Sequence, residues 1–351
     1  MTRSFWATVP FWLAYLLPPV VIISIHNHGW FTAIPIATLF VLLPITDWLS
    51  GVVPIPRSAP DLAFNKWFRA VTWLWVPVQV GLLAWLVRTV PMEHLGAFEN
   101  IAAAVSVGAT TGAIGITFAH ELIHRRQGHE RAMGNVLLAS VTYPHFAIEH
   151  VKGHHRHVGT PRDPATARLG ETVYRFVPRS VSGGLINAWH IEQRRLREME
   201  IPTWSPQNLM VRYALVELGI YAAVAIAFGP LAVALFAAQS LVAIAIVEVI
   251  NYIEHYGLIR KKSAQVEYER VKPEHSWDSQ SRVSNWLMIN MPRHADHHLA
   301  VAKRYQSLEL LPHAPRLPGG YGAMFLLALV PPLWFRVMDP RVAAARSIAS
   351  I

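Results

Sequence analysis

Residues 209–250 read LMVRYALVELGIYAAVAIAF (209–228), GP (229–230) and LAVALFAAQSLVAIAIVEVI (231–250): two apolar runs joined only by Gly229-Pro230. Crossing the hydrocarbon layer of a bilayer takes about 20 residues rising 1.5 Å each. Each run is long enough, and the Gly-Pro pair marks a tight reversal between them. Four earlier blocks have the same character: Phe5 to Ile25, Trp30 to Leu49, Trp67 to Val87 and Phe98 to Ala119. The sequence therefore predicts an all-α, polytopic membrane protein with six transmembrane helices and one membrane-embedded domain over 1–351. The first block is longer than a typical signal-peptide core, and no convincing small-residue cleavage site follows it, so it reads as a retained anchor.

Composition agrees. Only 15% of the residues are charged, against 53% hydrophobic, where soluble domains carry roughly 25% charged. Cysteine is absent, which rules out a disulfide, a thiolate metal ligand and an iron–sulfur cluster within the chain. Any redox centre of that kind must sit on a partner.

Lysine and arginine set the orientation. Arg57, Lys66 and Arg69 lie between the second and third spans, Arg125, Arg126, Arg131, Lys152, Arg156 and Arg162 after the fourth, and Arg260, Lys261 and Lys262 after the sixth. The turn near Asn27 and the Gly229-Pro230 hairpin have none. By the positive-inside rule the basic segments, 120–207 and 251–351, are expected at the cytoplasmic face of the cell inner membrane. Two further apolar stretches are expected not to cross. Ala132 to Ile148 is short and would place histidines on opposite sides of the membrane if it spanned. Tyr321 to Val337 is broken by Pro331-Pro332 and is expected at the interface.

Half of the 18 histidines fall into four clusters. They are His120-Glu121-Leu122-Ile123-His124, then Glu149-His150 with His154-His155, then Glu254-His255, and last His294-Ala295-Asp296-His297-His298. Residues four apart share a helix face, so His120 and His124 can address one metal. A single histidine at a helix end is more often an interfacial polar residue than a ligand. Four clusters at one membrane face are hard to explain as solvated surface, because polar groups near the bilayer are costly unless paired or used. Nine imidazoles exceed the three or four that one zinc takes, so two metals are implied. Without thiolates, and with open positions needed for dioxygen, iron leads over zinc, copper and nickel, which imidazole also suits. Glu121, Glu149, Asp163, Glu254 and Asp296 could orient ligand rings by accepting their second N–H. His145, His157 and His275 are nearer the site than the remaining histidines.

These residues resemble the integral-membrane alkane monooxygenases, within the membrane desaturase/hydroxylase superfamily, over nearly the whole chain. His120 to His124 fits His-Glu-Leu-x-His. EHVKGHHRHVGTPRDPATARLGE (149–171) is similar to the second histidine box. NYIEHYGLIR (251–260) resembles the motif that separates this family from the desaturases, and RHADHHLAVAKRYQSL (293–308) resembles the last box. Pro292, His157 and Gly159 depart from the family pattern without removing a ligand, which leaves substrate range more open than reaction. The resemblance implies a six-helix bundle with two irons held by His120, His124, His150, His154, His155, His255, His294, His297 and His298. It implies terminal hydroxylation of alkanes with O2 and electrons from rubredoxin and an NAD(P)H-dependent rubredoxin reductase. It also implies a substrate channel with Leu39 at a chain-length gate and Trp48 lower on the same helix; the bland reading of both is helix packing.

Other readings compete. His120-Glu121-x-x-His124 also fits a zinc protease signature, but that would leave six histidines idle. A membrane fatty-acid desaturase shares three boxes and lacks Asn251 to Gly257. A xylene- or cymene-type aromatic methyl-group monooxygenase is the nearest rival, sharing the metal site and differing in pocket and donor. A metal transporter would place its ligands near the bilayer midplane.

Overall fold

The structure, a computed structural model, describes residues 5–53, 66–262 and 267–348; Arg57 lies outside them. Among the described residues all regular structure is helical. Four helical runs long and apolar enough to span come first: α1 (Val9–His26), α2 (Gly29–Ser50), α3 (Lys66–Glu93) and α4 (Ala97–Ile123). Then come α5 (Gly128–Ala139), α6 (Val173–Glu198), α7 (Leu209–His255), α8 (His294–Leu299), α9 (Tyr321–Ala328) and α10 (Pro331–Ile348).

Helix α7 is a hairpin of two crossings. Gly229 adopts φ +81°, a left-handed conformation open to glycine, and Pro230 starts the second arm. Tyr221 and Phe236 meet edge to face with ring centroids 5.2 Å apart; fifteen residues along one straight helix they would be about 22 Å apart. With α7 divided, the described residues hold six helical segments long and apolar enough to cross, and the chain is a multi-pass membrane protein. Large apolar side chains point outward along these helices, among them Ile101, Leu218, Ile226 and Leu241. In water such a surface would be a liability; in lipid it is the expected exterior.

Within the bundle, α4 packs against the second arm of α7 through glycines. A Cβ on Gly108 would stand 2.6 Å from the Gln239 carbonyl oxygen, and one on Gly112 would stand 2.8 Å from the Ala243 backbone. Small residues four apart let membrane helices approach backbone to backbone.

The segment 128–148 enters the bundle and returns. It is flanked by His124 and His150, whose rings lie 5.2 Å apart, so it does not cross. A turn at this depth leaves carbonyls that lipid cannot satisfy, and two buried amides supply the missing donors. Gln79 Nε2 donates to the Leu137 carbonyl and the Ser140 hydroxyl, and Gln239 Nε2 donates to the Ser140 carbonyl. Gln239→Leu should therefore lower bundle stability by roughly 1–3 kcal/mol, read as an earlier unfolding midpoint in detergent with helix content unchanged before the transition.

The C-terminal stretch bends by 119° between α9 and α10 at the Pro331-Pro332 break, so it is not a straight span. Helix α10 covers the end of α7: the Trp334 ring packs tilted against Tyr252 with centroids 5.0 Å apart, and the Tyr256 hydroxyl donates to Asp339.

Candidate metal centre

The nine clustered histidines converge in two groups. His120, His124, His150, His155 and His297 form one; His154, His255, His294 and His298 form the other. Within each group one ring nitrogen per residue lies within 4.8 Å of all the rest.

Local helix geometry decides the allocation. His120 and His124 end α4 one turn apart. In α8, His294 and His298 are also one turn apart and share a group, with their Nε2 atoms 3.0 Å apart. His297, between them, turns to the other group. The second cluster lies in a π-helical turn, His150–His154, in which the His155 N–H reaches the His150 carbonyl. That i→i+5 bonding brings residues five apart onto one face, so His150 and His155 meet at 3.0 Å while His154 points to the other centre. His255 arrives from the end of α7, 3.1 Å from His294.

Metal ions fit these residues. His155 Nε2 lies 3.0, 3.1 and 3.2 Å from the Nε2 atoms of His150, His297 and His124. A neutral imidazole has one N–H, which can serve at most one such contact. With metal–nitrogen bonds of about 2.0–2.1 Å, donors at right angles stand about 3.0 Å apart and tetrahedral ones about 3.4 Å. The spacings and the fifth donor match a centre of more than four ligands better than a closed tetrahedral zinc. Both ring nitrogens of buried His120 also have no hydrogen-bond partner. The rings are suited to binding as neutral donors. Burial, then the Arg125 charge, pulls His124 down to about 3. Burial and the neighbouring rings hold His150, His155, His294, His297 and His298 well below the usual imidazole range.

His154 is the exception. Burial opposes its charge, but Asp163, with Glu149 and Glu254 adding to it, raises it. Asp163 Oδ2 lies 2.9 Å from His154 Nδ1, held by the Thr166 hydroxyl at 2.6 Å. The other carboxylates singled out in the sequence do different work. Glu121 faces Arg125, whose guanidinium also ties down the 301–303 carbonyls. Glu149 accepts from Asn187, and Asp296 takes Lys303 and the Glu309 N–H. Glu254 Oε2 lies 3.3 Å from His294 Nε2, the nitrogen turned toward the centre, and its Oε1 accepts from Tyr321 at 2.5 Å. Asp163→Asn should weaken metal retention by about 10–100-fold, measured by chelator competition, with the fold intact.

One support escaped sequence reading: Asp278 accepts the Ala295 N–H at the start of α8 and pairs with Arg316. An acid that meets its partner only through tertiary folding has no spacing to betray it. His275, placed near the site on sequence, contributes its carbonyl, which stands 3.5 Å from His255 Nδ1, while its ring faces Glu269.

Three cavities lie in series between the α1–α2 face and the histidines, each neighbouring pair sharing wall residues. The outermost, about 340 Å³, lies between α1 and α2 and is lined by Leu13, Leu16, Val20, Ile34 and Leu39. Leu39, Leu43 and Leu287 are shared with a second, apolar cavity, which shares Ile250, Met288 and Tyr321 with a third. The third touches His120, His150 and His294. Leu39 is buried at the first junction, in a π-helical turn of α2 (Thr38–Leu42). Trp48 does not join this route. Nine residues farther along the helix it faces outward, 81% exposed, and lines none of the cavities described.

An α-helical membrane bundle with two histidine nests at the end of an apolar route defines a desaturase-type membrane protein, and the fatty acid desaturase family profile matches residues 98–328. Within that class the chain belongs to the alkane 1-monooxygenases. It is 39% identical to alkane 1-monooxygenase 1 of Pseudomonas aeruginosa, over 92% of this chain and 85% of that one. Alkane 1-monooxygenase of Pseudomonas putida is 38% identical over 97% and 85%. The hydroxylase component of a Pseudomonas putida xylene/toluene monooxygenase is 29% identical over 93% and 87%.

Proposed function

We propose that the chain hydroxylates the terminal carbon of alkanes, with two non-haem irons bound by the five-histidine group and the four-histidine group. The observation that carries this reading is the apolar route of cavities ending against His120, His150 and His294. Bound there, the irons would supply reductive activation of dioxygen and the oxidant that breaks the C–H bond. The chain's own residues do the rest. Leucine, isoleucine and phenylalanine walls align an extended hydrocarbon and exclude water, Asp163 fixes the His154 ring, and Tyr321 with Glu254 closes the polar end of the apolar route.

Electrons are proposed to come from rubredoxin, itself reduced by an NAD(P)H-dependent rubredoxin reductase, docking at the basic face. That face is assigned to the cytoplasmic side of the inner membrane. Opposite charge speeds such encounters and salt screens them, so turnover with separate rubredoxin should fall as ionic strength rises, read as a drop in kcat/KM for the donor.

A second reading, hydroxylation of an aromatic methyl group, is favoured by the likeness to the xylene/toluene enzyme. Purified protein loaded with iron, rubredoxin and reductase and offered octane, hexadecane and p-xylene separates the two. Primary alcohol from the alkanes supports the first; product from p-xylene alone supports the second. Desaturated lipid would overturn both.

A further inference from the structure

The reading above requires protons as well as electrons: R–H + O2 + 2 e⁻ + 2 H⁺ → R–OH + H2O. The electrons come from the docked donor protein, and the apolar route that admits alkane cannot carry protons. A separate, more polar cavity adjoins the reaction cavity. It is water-sized, about 10 Å³, and its lining includes Tyr143, His145, Ser180, Gly184, Glu248 and Asn251.

His145 Nε2 is buried in the cavity wall without a partner, and Glu248 Oε2 makes no well-formed hydrogen bond, although the Ser180 hydroxyl interacts with the same carboxyl. Glu248 is only 2% exposed. Its other oxygen, Oε1, accepts from the Tyr143 hydroxyl at 2.7 Å and from Asn251 Nδ2 at 3.2 Å. Buried polar atoms in native proteins are paired, with ordered water where no side chain reaches. A water in this cavity would serve both atoms.

The cavity shares Phe146, His150 and Asn251 with the chamber that touches the histidines. Asn251 lies one turn beyond Glu248 on α7 and one turn before His255, so a single helix face runs from the buried carboxyl to the metal site. On the outer side Asn187, half-buried on α6, donates to Glu149 in the cavity wall.

We infer that Glu248, with a water held beside it between Tyr143, His145 and Asn251, is the proton-carrying station that supplies the reaction cavity. This rests on the monooxygenase reading.

The test uses the full chain in nanodiscs. A high-resolution map of the wild type should show an ordered water within hydrogen-bond reach of Glu248 Oε2 and His145 Nε2. Glu248→Gln keeps the shape and the Tyr143 bond but cannot pass a proton. It should lose on the order of 10²-fold in alcohol formation, with a larger solvent isotope effect and wild-type iron content. Gly184→Ala is the second variant. Its methyl would stand 3.7 Å from Glu149 Cγ, an ordinary contact, and alanine favours helix over glycine, so folding is safe. It should displace the water and slow turnover in the same way. A dry wild-type cavity, or either variant turning over at the wild-type rate with an unchanged isotope effect, overturns the inference. A wild type that makes no alcohol overturns the monooxygenase reading instead.

Discussion

His255→Ala is expected to lose metal from the four-histidine group and to lower alcohol formation on the order of 10³-fold or more. His255 is the one donor that α7 contributes, fully buried with its Nε2 3.1 Å from His294. Alanine would leave three nitrogens and a void where the fourth stood. Helix α7 itself should survive, because Tyr252 and Tyr256 on either side are pinned by their own bonds to the Glu171 carbonyl and Asp339. Metal analysis and activity on the same preparation check this. Full iron with full activity would remove His255 from the site.

The second large effect is expected at Leu39. Tryptophan there would fill the junction between the outer cavity and the inner one, which Leu39 shares with Leu43 and Leu287. Short alkanes that pass the junction and then lie wholly inside it should still be oxidised, while long ones must stay threaded through it during the reaction. Oxidation of hexadecane should fall roughly 10–200-fold relative to octane. Competition between the two alkanes in one assay gives the ratio free of differences in iron loading. An unchanged chain-length profile would mean that Leu39 is packing and nothing more. Trp48→Ala is expected to leave the profile alone, since that ring lies on the outer surface.

Membrane crossings are legible because each is a local property. Twenty apolar residues and a Gly-Pro break need no knowledge of neighbours, and the α7 hairpin follows from them. The histidine clusters are legible for the same reason: spacing on a helix sets which rings share a face. The division into five and four is not. Regular α-helical spacing would pair His150 with His154, whereas the π-helical turn pairs His150 with His155, and such a turn leaves no mark in composition. The carboxylates show a similar limit. Glu121, Glu149, Asp163, Glu254 and Asp296 all adjoin the histidine boxes, yet only Asp163 meets a ligand ring on its outward nitrogen among the described contacts. Which partner each finds depends on residues far away in the chain, such as Asn187 for Glu149 and Tyr321 for Glu254. The two glutamines that satisfy the 128–148 turn are equally silent in sequence, because a buried amide looks like any polar residue in a span until its carbonyl partners are placed.

The most direct test is metal analysis of catalytically active protein joined to metal-specific density in a structure of that preparation. About two irons per chain are expected, one among His120, His124, His150, His155 and His297 and the other among His154, His255, His294 and His298. Active protein that contains no iron, or that holds a single metal bound by only one of the two histidine sets, would contradict it.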